Sequence, residues 1–203
     1  MIRISDLEFS YEHSPVFSSF DFILSKRIGI IRGPSGCGKT TLLKLLHGIL
    51  KPESAKEFLV PKKSSLILQD DNLAPWLTGT ENLSIFLQKP VSNFSNHPLF
   101  SLVSEILNKR AYEMSFGQRR IIELFRAFLT ETEMLLLDEP LNYIDPSKRL
   151  TLLNFLKSEQ CPKVPIIFTT HFTDNVGIED AEFFEFKGEM PFSNLNKAET
   201  NSI

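Results

Sequence analysis

The sequence predicts an α/β protein with a mainly parallel sheet, and three observations carry that expectation. Short, fully apolar runs read as strands buried on both faces: Ile28-Gly29-Ile30-Ile31, Met134-Leu135-Leu136-Leu137 and Ile166-Ile167-Phe168. Stretches with helical spacing lie between them, from Thr40 to Leu50, Ser115 to Leu129 and about Ser147 to about Glu159. The first apolar run opens straight into a Gly-rich loop that starts a helix. Apolar strands that alternate with helices are covered by those helices on both faces.

The remaining elements follow in order. Ile2 to Phe9 alternates apolar and polar residues like a strand, and Phe20 to Leu24 looks like another. Leu66-Ile67-Leu68 is a buried-strand candidate. From about Thr80 to about Lys109, helical segments are interrupted by Pro90 and by the turn-prone stretch Asn93 to Pro98. Leu83 and Phe86 are expected to build the core of that region. Trp76, between a proline and polar residues in a loop, is expected at an interface instead. Ser115 is a helix N-cap, and Gln118 three residues on completes a capping box. Phe183 to Phe186, followed by Lys187-Gly188, predicts a late hairpin, and the polar tail from Asn194 is expected to be loose.

Bulk properties narrow the classes of function. The chain has 203 residues, 42% hydrophobic and 23% charged, an ordinary globular balance for one domain with room for a small inserted lobe. A net charge of −3 gives no bulk attraction to nucleic acid or anionic lipid. Two cysteines, Cys37 and Cys161, make no disulfide framework and point to a reducing compartment. No stretch approaches the ~18 apolar residues of a membrane-spanning helix, so a membrane role is expected to come through a partner. The 18 phenylalanines are scattered without a repeat and read as core.

Two motifs carry chemistry. Gly33-Pro34-Ser35-Gly36-Cys37-Gly38-Lys39-Thr40, with Thr41 following, fits G-x-x-x-x-G-K-[ST] at every fixed position. Glycines let backbone N–H groups close around phosphate, and the helix adds the positive end of its dipole. Lys39 is expected on the β- and γ-phosphates and the Thr40 hydroxyl on Mg²⁺. The bland alternative, a Gly-rich turn with a surface lysine, lacks a reason for the strand–loop–helix context. Cys37 fills a variable position and is expected to line the loop. About a hundred residues later, the strand Met134 to Leu137 carries Asp138 to the carboxyl edge of the sheet, where α/β folds bind ligands. Asp138 suits the metal, and Glu139 beside it suits the attacking water.

With these motifs in place, the sequence resembles the ABC ATPase family over nearly its whole length and in the right order. Tyr11 is similar to the aromatic that stacks on adenine. Gln69 matches the glutamine that senses the metal and the γ-phosphate. Met114-Ser115-Phe116-Gly117-Gln118 resembles the signature Leu-Ser-Gly-Gly-Gln, and Arg126-Ala127 the pair that closes its helix. Asp145 matches the end of the D-loop and His171 the switch histidine. Pro75-Trp76-Leu77-Thr78, then Glu81-Asn82-Leu83, looks like the continuation found in bacterial importer subunits. The resemblance implies a P-loop NTPase core of mainly parallel sheet, an N-terminal antiparallel β part and an inserted helical lobe at about 72–128, all in a single domain over 1–203. It implies a transporter subunit that binds and hydrolyses ATP with Mg²⁺, with Glu139, His171 and Gln69 catalytic and Thr40, Gln69 and Asp138 at the metal. Ser115, Gly117, Gln118 and Asp145 would meet ATP held by a second nucleotide-binding subunit, packed head to tail. A transmembrane subunit is the other expected partner, and the chain would sit peripherally on the cytoplasmic face of the membrane. No nucleic acid is expected.

Several residues depart from the family pattern. Phe116 replaces the first signature glycine. Ile121 stands where an arginine is expected, after Arg119-Arg120. Asn142 and Tyr143 replace small D-loop residues, and Ala55 stands where a glycine commonly occurs. Two rival readings stay open at this point: a non-transport ABC ATPase, and a degenerate nucleotide-binding partner in an asymmetric pair.

Overall fold

A computed structural model of the chain describes residues 1–87, 90–171, 178, 180–187 and 190–197. The chain divides into two compact units. The first takes Met1–Leu66, Thr132–Glu139 and the described residues from Lys163 onward. The second takes Ile67–Glu131 and Pro140–Pro162.

The first unit opens with a long hairpin. Strand β1 (Ile2–Tyr11) pairs antiparallel with β2 (Ser14–Leu24), from Ile2 opposite Leu24 to Tyr11 opposite Ser14. Two irregularities in the register coincide with Asp6 and Ser19, both at positive φ. Side chains hold them: Asp21 accepts the Asp6 N–H at 2.9 Å, and Glu8 accepts the Ser19 N–H at 2.7 Å. Strand β4 (Glu57–Leu59) flanks β1 and β9 (Phe192–Asn194) flanks β2, giving the order β4-β1-β2-β9.

The second sheet of this unit runs β10-β8-β3-β7-β6-β5. Its members are β3 (Ile28–Arg32), β5 (Ser64–Ile67), β6 (Met134–Leu137), β7 (Ile166–Thr170), β8 (Ala181–Glu185) and β10 (Asn196–Lys197). Pairs β3–β7, β3–β8 and β6–β7 are parallel. Strands β6 and β7 are buried at every position, as their apolar runs predict. Helix α1 (Lys39–His47) follows β3 and buries Leu42, Leu43, Leu45 and Leu46. These leucines join Phe17, Phe20, Phe22, Phe184, Phe186 and Phe192 in one hydrophobic cluster, so the abundance of phenylalanine is core here.

The end of the chain differs from expectation. Strand β8 belongs to the parallel sheet, and its antiparallel partner is β10, with β9 leaving for the other sheet between them. The tail is therefore paired through Lys197, because backbone hydrogen bonding needs no apolar side chain. Part of the turn expected at Lys187-Gly188 and residues 198–203 lie outside the described residues.

The second unit is helical. It contains α2 (Gly79–Ser84), a 3₁₀ turn at Val91–Phe94, α3 (Phe100–Val103), a second 3₁₀ turn at Ala111–Glu113, α4 (Phe116–Leu129) and α5 (Pro146–Lys157). Half-buried His97 packs with buried Phe125, Phe128 and Phe155, with ring centroids about 5 Å apart. Leu83 is fully buried. Phe86 is not core: it is exposed, and the Arg126 guanidinium lies 4.3 Å from its ring centre. A long cationic side chain covers apolar surface that the sequence assigns to the interior.

Candidate functional site

In the first unit, the Gly-rich loop connects β3 to α1. Gly38 is the N-cap of α1 at φ 92, and a Cβ there would lie 3.1 Å from a Val16 methyl. Both the left-handed backbone and the close packing require glycine. No side chain caps this helix end, so its first N–H groups are left facing the loop, an arrangement suited to an anion. The Lys39 side chain is buried and curls back into the loop. Its ammonium donates to the Gly33 carbonyl at 2.7 Å and the Pro34 carbonyl at 2.8 Å, with the Cys37 sulfur at 3.9 Å. Burial pushes the Cys37 thiol up, with Lys39 pulling the other way, so the thiol lines the loop in its neutral form. Tyr11, at the end of β1, meets Thr41 through its hydroxyl at 3.4 Å, which puts its ring beside the start of α1.

Strands β6 and β7 deliver the acidic side of the site. Asp138 is buried and accepts hydrogen bonds from Thr40 at 2.5 Å and from Thr169 at 2.6 Å. Thr169 in turn accepts the Glu139 N–H at 2.9 Å. Glu139 is buried at φ 49, a left-handed conformation that costs a non-glycine residue roughly 1–3 kcal/mol. His171, just beyond β7, touches the Glu139 carboxylate through Nε2. The structure thus gathers Lys39, Thr40, Thr41, Asp138, Glu139, His171 and Tyr11 within one unit. Thr169 was not among the residues singled out from sequence. The available sequence signal was its place directly after the apolar run Ile166-Ile167-Phe168.

In the second unit, Ser115 is the N-cap of α4. Its hydroxyl accepts the Gln118 N–H, and the Gln118 side chain accepts the Ser115 N–H at 3.0 Å. The expected capping box is present. Gly117 is pressed against the chain at Tyr143, where an added Cβ would lie 2.1 Å from the Tyr143 carbonyl oxygen. Phe116 is 50% exposed and Tyr143 65% exposed, and their ring centres are 5.5 Å apart. Asp145 is the N-cap of α5 and lies 3.8 Å from the Lys148 ammonium. Gln69 follows β5, and its carbonyl accepts from Arg120.

The sequence model of the ABC transporter family matches residues 18–142. The chain belongs to this family. It is similar to the thiamine import ATP-binding protein ThiQ of Escherichia coli K12, 28% identical across 89% of this chain and 83% of that protein. It is also similar to the Nod factor export ATP-binding protein I of Rhizobium etli, 30% identical across 85% of this chain and 61% of that one. A solved ATP-binding subunit of an ABC transporter superposes with a TM-score of 0.76 at 21% identity, across 91% of this chain and 85% of that one. This chain is an ABC ATP-binding subunit with the α/β fold of that class.

The donor set of this subunit fits Mg²⁺. The described hydrogen bonds of Asp138 come from two neutral hydroxyls, whereas a carboxylate offers about four lone-pair sites. Thr40 and Asp138 place two hard oxygen donors together. Mg²⁺ suits that arrangement, because it is usually held by one or two protein oxygens plus phosphate and water.

Proposed function

We propose that this subunit binds and hydrolyses MgATP to power movement of a substrate across a membrane. The observation that carries the reading is the joined constellation in one unit: a buried lysine inside a phosphate-type loop, a Thr40–Asp138 pair, and Glu139 in contact with His171. Lys39 and the N–H groups at the start of α1 bind the β- and γ-phosphates. Thr40 and Asp138, with Gln69, would hold Mg²⁺, which would offset phosphate charge. Glu139 accepts the proton of the attacking water as its oxygen bonds to the γ-phosphorus and the bond to the ADP oxygen breaks. His171 donates through Nε2 to the Glu139 carboxylate and orients it, and Thr169 holds Asp138 and the Glu139 backbone in register. Tyr11 packs against the adenine ring.

Ser115, Gly117, Gln118 and Asp145 face the ATP of a second nucleotide-binding subunit. The two units belong to a single ATPase domain over 1–203 whose helical lobe spans about 72–128. The lobe docks on a transmembrane subunit, which holds the chain at the cytoplasmic face of the membrane. Transport in this sense is supported by relatives named for import and for export, and choice of cargo is assigned to the membrane partners.

The test is Glu139→Gln, which keeps the side-chain shape and removes the base. Turnover is expected to fall by roughly 10²–10⁴-fold while ATP still binds and holds a dimer in light scattering. Unchanged hydrolysis would remove Glu139 from its role.

A further inference from the structure

One turn of helix α4 grips the segment that carries Gln69. Arg120 is 2% exposed and Glu123 1% exposed, three residues apart on the same helix face. The Arg120 guanidinium donates to the Leu68 carbonyl at 2.6 Å, to the Gln69 carbonyl and to Glu123 at 3.1 Å. Glu123 accepts the Asn72 N–H at 2.8 Å with its other oxygen. Arg119 pairs with Asp71 at 2.9 Å. Four of the five residues 68–72 are therefore tied to three side chains of α4, all within one compact unit.

The energetics require a reason for this pair. Taking both charges out of water is costly, and a well-packed apolar pair is often as stable. What apolar residues cannot do is satisfy backbone groups. Residues 68–72 follow β5 without regular structure, and their carbonyls and N–H groups need partners wherever they are buried. Burial pushes the Glu123 carboxyl up, while the Asn72 N–H and Arg120 oppose the shift. A planar guanidinium reaches two carbonyls and a carboxylate at once, which a lysine does not. The family arginine expected at 121 is absent, and buried Ile121 stands there. Arg120, one position earlier, points instead into the glutamine segment, with Glu123 as counter-charge.

We propose that Arg120 and Glu123 are positioning residues for Gln69, fixing the backbone of residues 68–72 to the start of the signature helix. This rests on the reading of Gln69 as a residue of the ATP site. The two groups do not touch substrate; they determine where Gln69 is presented.

The test uses the full-length subunit with the neutral pair Arg120→Gln/Glu123→Gln, which removes both charges of the pair and leaves Arg126, 4.0 Å from Glu123 in the parent, with its contact to the Phe86 ring. Amide hydrogen exchange over residues 68–72 is expected to rise about tenfold or more, with residues 124–129 unchanged. The kcat for MgATP is expected to fall about tenfold, with KM within about threefold. In a Gln69→Ala background the neutral pair should change kcat by less than about twofold, because both changes act through one side chain. Should the neutral pair fail to fold, Arg120→Lys keeps the charge and loses the fork, and is read in the same way. Unaltered exchange, or kcat losses that add in the triple variant, overturn the proposal. If Gln69→Ala lowers kcat while the neutral pair does not, positioning alone falls. If Gln69→Ala leaves kcat unchanged, the ATP-site reading of Gln69 falls, and the positioning role in turnover goes with it.

Discussion

The phenyl ring of Phe116 lies 5.5 Å from the Tyr143 ring and 4.4 Å from the Arg119 guanidinium. An aromatic pair contributes ~0.5–1.5 kcal/mol, and an exposed cation–π contact ~0.5–1 kcal/mol. Two departures from the family pattern, Phe116 and Tyr143, are thus one contact, and the ring has a place beside the signature helix. Phe116→Gly is accordingly expected to change kcat by less than about tenfold, ~1.4 kcal/mol in barrier. A rise of about a hundredfold in steady-state ATPase assays would instead favour the degenerate-partner reading. The pairing with Tyr143 was not legible in the sequence, since the two rings come from loop and helix positions 27 residues apart, whereas the i, i+3 spacing of Phe116 and Arg119 on α4 permits their contact.

At the scale of elements, the start of α4 is set by contact as well as by its cap. A Cβ on Gly117 would meet the Tyr143 carbonyl at 2.1 Å, and that atom is backbone with nowhere cheap to go. Gly117→Ala is expected to destabilise the subunit by about 1–3 kcal/mol, measured by urea denaturation. A stability equal to the parent's would mean that the loop at Tyr143 yields freely. The α4 cap itself was readable, because Ser and Gln three residues apart state their own geometry. Strands β3, β6 and β7 were readable because strands buried on both faces are apolar throughout. The strand β10 was not, since Asn196-Lys197 carries no pattern and is held by backbone pairing and the Lys197–Glu182 contact at 2.9 Å. The Arg120–Glu123 pair was also hidden. Periodicity places the two on one face but does not say that the face is buried, and their partners lie about fifty residues earlier.

At the scale of the whole molecule, no helix among the described residues is long and apolar enough to cross a membrane, and the proposed function places docking on the helical lobe. The loop at residues 74–78 is built for presentation. Asn82, buried beneath it, accepts the Ala74 N–H at 2.8 Å and donates to the carbonyls of Ala74, Leu77 and Thr78. Trp76 stands outside this frame at 69% exposure. Trp76→Ala is expected to weaken retention by the membrane subunit by ~2 kcal/mol, about thirtyfold in affinity, while ATPase activity of the free subunit and its melting temperature stay near those of the parent. Loss of folding in Trp76→Ala would place the indole in the core and sink the docking role. The same residue has a spectroscopic consequence. The chain contains one tryptophan, so indole emission from the free subunit comes entirely from this loop. A partner that covers the ring will shift that emission to shorter wavelength, making the native protein its own label for the moment of docking.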